Sequence, residues 1–234
     1  MPDTRYSRLS DSSSAAFSSM LERFGVVTVM NARVYDIDEN IDFSSLNADQ
    51  IIDAYLAKGE NVESGFRCKL DTLKVANVTQ EGPTKTVTGG QYSNPLIKYG
   101  KTARLEMQDA LGNAEAIEAL CGGLVEYKNQ LNGDRIALHV GSDFASQKLI
   151  IGDTFFIDQR SGQQVKVNII FYQILPDSNF NLTQDAAGDA TVFDMNGDLL
   201  TTDILVGNRA GVEVPHGEFY SVVEYRSADT PSSN

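Results

Sequence analysis

The chain has 234 residues, 19 Lys and Arg against 32 Asp and Glu, a net charge of −13, two cysteines and no tryptophan. A chain of this length buries roughly 70% of its unfolded surface and needs no staples, and Cys68 and Cys121 have neither metal-ligand nor Cys-x-x-Cys spacing. The acidity excludes a surface built to grip phosphates, which needs clustered Lys and Arg.

The opening M-P-D-T-R-Y-S lacks an apolar h-region, so no secretory signal is expected. Apolar runs fall far short of a membrane span. A reduced, cytosolic origin fits the two thiols, and on that reading the sequons at Asn77 and Asn181 are chance matches. Residues 1–19, with a serine-rich run at 10–14, read as a flexible arm. Residues 25–36 read as a strand with Val27, Val29 and Met30 inside.

Asp36, Asp38 and Asn40 have the 1, 3, 5 spacing of a calcium loop, but Ile41 stands where the sharp turn demands Gly and Asn47 where the bidentate Glu belongs. A solvated acidic loop is expected instead. Asp194, Asn196 and Asp198 fail the same test at Leu199. Residues 47–57 form a helix, with Asn47 and Gln50 as a capping box, a stripe of Ile51, Ile52, Tyr55 and Leu56, and Gly59 as the stop.

Residues 66–76 and 96–108 read as two strands with one greasy and one wet side. Phe66, Cys68 and Leu70 alternate with Arg67, Lys69 and Asp71; Ala103, Leu105 and Met107 alternate with Thr102, Arg104, Glu106 and Gln108, and Lys98 lies on the wet side too. After Asp71 the phase changes, which predicts a bulge or bend. The connection 77–95 is rich in Thr, Gly and Pro and longer than compact domains favour. A second helix is expected over 113–121, a hairpin over 124–130 and 135–140 around Asn132-Gly133, and a strand 148–157 pairing with residue 165 onward.

Residues 165–175 are amphipathic at their start and apolar on both sides at their end. Val165, Val167, Ile169, Phe171 and Leu175 share one face; Ile170, Tyr172 and Ile174 make the other apolar, so Phe171 and Ile174 are expected on opposite faces. Such a strand is buried twice, and the second burial calls for a covering element or another subunit. Pro176 ends it, a polar bend and a turn at Gly188-Asp189 follow, and a further strand is expected over 191–196. The last strand is expected over 217–225, with Phe219, Val223 and Tyr225 on one side, before a frayed tail at 227–234.

No catalytic constellation emerges. His139 sits in a predicted strand and His216 in a loop, neither near a Gly-x-Ser-x-Gly elbow, and phosphate-cradling glycine motifs are missing from the sequence. The expectation is a protein that is not an enzyme and uses no cofactor or metal.

Two stretches resemble bacteriophage tail tube proteins. One holds Pro176, Phe180, Leu182, Ala186, Gly188, Asp189, Phe193, Asn196, Gly197 and Asp198; the other, within 82–111, reads T-V-T-G-G-Q-Y and G-K-T-A-R-L-E-M. The resemblance spans roughly residues 20–226. It implies a mainly β fold, an antiparallel sandwich or partly closed barrel with a flanking helix, whose copies close into hexameric rings and stack into the tube through which phage DNA passes. On that reading Arg67, Lys69, Asp71, Lys98, Thr102, Arg104, Glu106 and Gln108 face the lumen. Gln80, Glu81, Gly82, Pro83, Thr84 and Lys85 belong to a loop that meets an adjacent ring. The implied partners are the chain itself, other tail proteins (baseplate, terminator, a sheath if the tail contracts) and DNA bound without sequence preference, with no membrane. The implied location is the virion tail, assembled in the host cytoplasm. The net negative charge then serves either solubility or repulsion of passing DNA. The alternative is a monomeric β-sandwich that binds a receptor or carbohydrate.

Overall fold

The computed structural model describes residues 26–71, 73–82, 84–86, 96–98, 100–109, 114–128, 135–157, 164–177, 193–207 and 212–224. The expected arm 1–19, the turn at Asn132-Gly133, the link 159–162, the turn at Gly188-Asp189 and the tail 227–234 lie outside the described residues, as do the side chains of Val27, Val29 and Met30.

The strands are β1 (Val26–Asp36), β2 (Phe66–Leu70), β3 (Leu73–Glu81), β4 (Thr84–Thr86), β5 (Leu96–Lys98), β6 (Thr102–Asp109), β7 (Gly123–Lys128), β8 (Arg135–Val140), β9 (Lys148–Ile157), β10 (Gln164–Pro176), β11 (Phe193–Leu199), β12 (Thr202–Gly207), β13 (Glu213–Glu218) and β14 (Tyr220–Glu224). Among the described residues two α-helices join them, α1 (Ala48–Leu56) and α2 (Ala114–Cys121). The fold is mainly β and antiparallel, as expected. An eight-stranded sheet runs β2-β1-β9-β10-β11-β6-β3, with β14 also on β10. Among the described residues β2 and β3 do not pair, so the sheet stays open rather than closing as a barrel. Among the described residues there are also three two-stranded ribbons, β4–β5, β7–β8 and β12–β13.

Elements pack on both faces of the sheet. On the first face, α2 lays Ala116, Ile117 and Leu120 against Val34, Cys68, Leu70, Leu105, Met107 and Phe171. On the second, α1 and β12 lay Ile51, Ile52, Tyr55 and Ile204 against Tyr35, Ile151, Ile170 and Tyr172. Each Val, Leu, Ile, Phe or Met among them contributes about 1.5–3 kcal/mol on removal from water. The capping box of α1 is present as read: Asn47 accepts from the Gln50 N–H at 3.0 Å, and the Gln50 side chain accepts from the Asn47 N–H at 3.0 Å. Gly122 ends α2 at φ +79°, and a Cβ there would lie 2.1 Å from the Asp143 carbonyl.

Three strands differ from the expectation, each through a local break of alternation. In β10 the ladder to β9 shifts between Phe171 and Ile174. That shift puts Ile174 in the same core as Phe171, not opposite it, and turns Leu175 out to 43% exposure. The strand is still buried twice, through Phe171 on one face and Ile170 and Tyr172 on the other. The cover on that second face comes from the chain's own α1 and β12.

The stretch 66–76 is two strands with different partners, β2 on β1 and β3 on β6. A shift beside Tyr35 and Phe66 sends Phe66 to the second core while Cys68 and Leu70 face the first. The stretch 217–225 likewise divides. Glu213–Glu218 pairs with β12, the chain bends at Phe219, and Tyr220–Glu224 pairs with β10. Phe219 and Val223 therefore pack on different cores. Within the connection read as 77–95, residues 77–81 belong to β3 and 84–86 to β4, while 83 and 87–95 lie outside the described residues.

Candidate functional site

The second face of the sheet is covered only over β1, β9 and β10. Over β11, β6 and β3 it carries polar side chains. Residues directly opposite each other in a ladder point to the same side. Gln108 faces Asp194, Glu106 faces Asn196 and Asn77, and Arg104 faces Asp198 and Thr79. Leu105 and Met107, one residue out of phase, are buried on the other side. This is the alternation expected of Arg104, Glu106 and Gln108. Thr102 and Glu81 extend the same surface.

Its electrostatics are set by one clamp. Arg104 donates to Asp177 and, at 3.1 Å, to Asp198. Hydrogen bonding to Asp177 first, then charge attraction to both carboxylates, pushes the guanidinium pKa up, although slight burial opposes this. The Gln108 amide donates to Asp194 at 2.9 Å. Glu81, Glu106, Asp177, Asp194 and Asp198 thus surround a single arginine among the described side chains of this surface. A shallow groove lined by Glu106, Met107, Gln108, Asp194 and Asn196 runs across it.

The clamp is shaped by the run Pro176–Asp177 meeting Asn196–Asp198. Pro176 pairs with Gly197, and the Asp177 N–H donates to the Asn196 carbonyl at 2.9 Å. A Cβ on Gly197 would stand 2.7 Å from Ile174 Cγ2 and 2.8 Å from the Leu175 carbonyl, so only glycine fits this close backbone approach. The Asn-Gly-Asp run therefore brings two carboxylates to one arginine.

The other expected lumen residues are dispersed. Lys69 lies opposite Arg33 on β1, on the same face but at the far end of the sheet, and pairs with Asp71 at 3.3 Å. Lys98 belongs to β5. Arg67 sits where the β1–β2 ladder shifts and is bonded to Asp36, which also accepts from Lys148 at 2.8 Å. Burial of Asp36 opposes its ionisation, but the hydrogen bonds from Arg67 and Lys148 prevail and hold its pKa below the ordinary 3.8. Asp38 bonds Lys58 and the Asn40 N–H, which lower its pKa to about 2. Asp36 and Asp38 of the acidic loop are thus engaged by cations of the chain itself. Of the expected ring-contact residues, Gln80 and Glu81 are exposed on β3, Gly82 follows exposed, Thr84 and Lys85 form β4, and Pro83 lies outside the described residues.

A second surface had no counterpart in the sequence reading. A groove of about 770 Å³ opens between α2, the β7–β8 ribbon and residues 141–146, lined by Val62, Arg67, Glu115, Glu118, Leu124 and Phe144 among others. Phe144 is 86% exposed although its loop is fixed. Ala145 is buried, Lys148 Nζ donates to Ser146 Oγ at 2.5 Å, and Asp143 packs over Gly122.

Together these features describe an antiparallel β scaffold that presents a broad, acidic, solvated sheet surface and a separate groove of mixed polarity. Residues 124–211, from within β7 to just past β12, match the YomU/Tube protein family. This agrees with the phage tail tube resemblance of the sequence. No curated protein matches the chain.

Proposed function

We propose that the chain is the repeating subunit of a phage tail tube. Copies close into hexameric rings, rings stack, and DNA leaves the virion through the lumen into the host. The observation that carries this reading is the Arg104 clamp within an acidic sheet face, taken with the tube family match over 124–211. A conduit must let a polyanion slide, and each free cation would add a salt-dependent attraction to phosphate. Here the arginine is engaged by two carboxylates and further carboxylates lie beside it. Thr102, Arg104, Glu106 and Gln108 are assigned to the lumen wall. Lys69, Asp71 and Lys98 join it in the assembled ring, and Arg67 stays with Asp36. The free ladder edges of β2 and β3 are closed by neighbouring subunits. The β4–β5 ribbon, including Thr84 and Lys85, contacts the next ring. Other tail proteins cap the tube, and assembly takes place in the host cytoplasm.

The purified full-length chain, concentrated and viewed by negative stain, should show cylinders with sixfold rings in end view. A chain that stays monomeric in gel filtration and forms no cylinders at any concentration would favour the receptor- or carbohydrate-binding module instead.

A further inference from the structure

We infer that Pro215 keeps the β12–β13 ribbon closed to strand addition, so that no second copy of this chain extends it into a wider sheet. The inference goes beyond the tube reading and does not depend on it.

The backbone geometry of the ribbon leads to it. Antiparallel partners alternate between pairs that exchange both hydrogen bonds and pairs that exchange none. In β12 the Leu205 N–H turns away from β13 and donates to the carbonyl of Leu46, just ahead of α1, at 2.8 Å. Leu205 faces Pro215 in the ladder. This is therefore a pair without mutual bonds, and the backbone of Pro215 points to the outer edge of β13. Asp203 and Gly217, two residues along, face each other in the same phase. One edge of the ribbon is thus held by the chain itself. On the other, no further strand is present among the described residues, and residues 213–217 are exposed.

Without the proline that outer edge would be a template. It is extended over six residues, and Val214 on it is 38% exposed. A row of unpaired N–H and C=O groups recruits another strand. An added strand would draw on every second residue, here 213, 215 and 217. Proline removes the middle donor, and its ring fills the direction in which that N–H would point. An arriving strand would meet a ring where it needs a bond, and one of its own carbonyls would be left unpaired. The placement is selective. The outer strands of the large sheet, β2 and β3, contain no proline. The block sits on the ribbon edge alone among these three.

The test is Pro215→Thr in the full-length chain, which restores the donor within a residue suited to strands. At equal concentration the variant should sediment with roughly tenfold or more additional material above the wild-type species, with an unchanged circular dichroism spectrum. In that heavier fraction the Gly217 amide should exchange with deuterium roughly tenfold or more slowly than in the dilute variant. In wild type the same amide should exchange as an open N–H at every concentration, in cylinders as in the single chain. A variant that sediments like wild type, even with a lowered melting temperature, would show that the proline only stiffens the chain and would overturn the inference. Association that leaves the Gly217 amide unprotected would overturn it too, because another surface would then carry the contact. So would protection of Gly217 in wild type, because the edge would already be paired. Wild-type chain that never forms cylinders would overturn the tube reading and leave this one standing.

Discussion

One face of the central sheet is finished in two ways. Over β1, β9 and β10 it carries Tyr35, Ile151, Ile170 and Tyr172 under α1 and β12. Over β11, β6 and β3 the same face carries Asp194, Asn196, Asp198, Arg104, Glu106 and Gln108 under nothing described in the chain. The boundary falls at the C-terminal end of β10, where the ladder shift turns Leu175 outward beside Asp198. A doubly apolar strand therefore does not by itself demand a second subunit, because this chain covers its own. The polar half is the part of the face left available to something outside the fold.

The sharpest way to break this comparison is to place a charge in each half. Ile170→Asp buries an unpaired carboxylate at a fully buried position and should cost about 4 kcal/mol or more, seen as loss of the cooperative thermal transition. Glu106→Ala should stay within about 0.5 kcal/mol. Equal melting temperatures for the two variants would erase the distinction between the halves.

Next in size is Asp36→Ala. It strips Lys148, 6% exposed, of its carboxylate and should cost about 2–3 kcal/mol at neutral pH. The folded pKa of Asp36 lies below the ordinary 3.8. Its stabilisation is then complete above that value and lost as pH falls through the lower folded value. Urea titrations should show wild type and variant converging on acidification. A gap that widens as pH falls would contradict the assignment.

Gly197→Ala should cost about 1–2 kcal/mol, since the new methyl must push Ile174 and the Leu175 carbonyl apart. The urea midpoint reports it, and an unchanged midpoint would mean that the Pro176–Gly197 crossing has slack. Arg104→Gln should also change stability little. The side chain is 38% exposed, and surface pairs contribute under about 1 kcal/mol. The consequence on the tube reading is functional. DNA ejection should proceed, with a more acidic wall and less sensitivity to salt. Stalled ejection would show that the arginine itself guides DNA.

Periodicity made much of this legible. The capping box at Asn47 and Gln50, both helices, the pairing of β9 with β10 and the outward turn of Glu106 follow from local pattern, because alternation and capping are local physics. Errors arose at ladder shifts. One residue slipped at Tyr172-Gln173 moved Ile174 to the opposite face, and another beside Phe66 separated it from Cys68. No local composition marks those slips; each is set across the ladder by the partner strand, β9 for β10 and β1 for β2. The Arg104 clamp was half visible. Pro176 and Asn196-Gly197-Asp198 stood out as a run, but their convergence on Arg104 is a tertiary fact. Phe144 lay between two strands and carried no periodic signal at all.

The pairing of β1 with β9 also sets the order in which the chain can fold. Asp36 meets Lys148 at a sequence separation of 112, so a chain emerging from the ribosome makes β1, β2 and α1 long before the strand that fills the middle of their sheet. Until then β1 has only β2 to pair with, which leaves its other edge unsatisfied and its apolar residues unburied. Non-local ladders of this kind fold slowly, over milliseconds to seconds, and an open strand edge is a template for association. Where many identical chains are made together, the interval before β9 arrives is when the chain is most exposed to pairing with another copy.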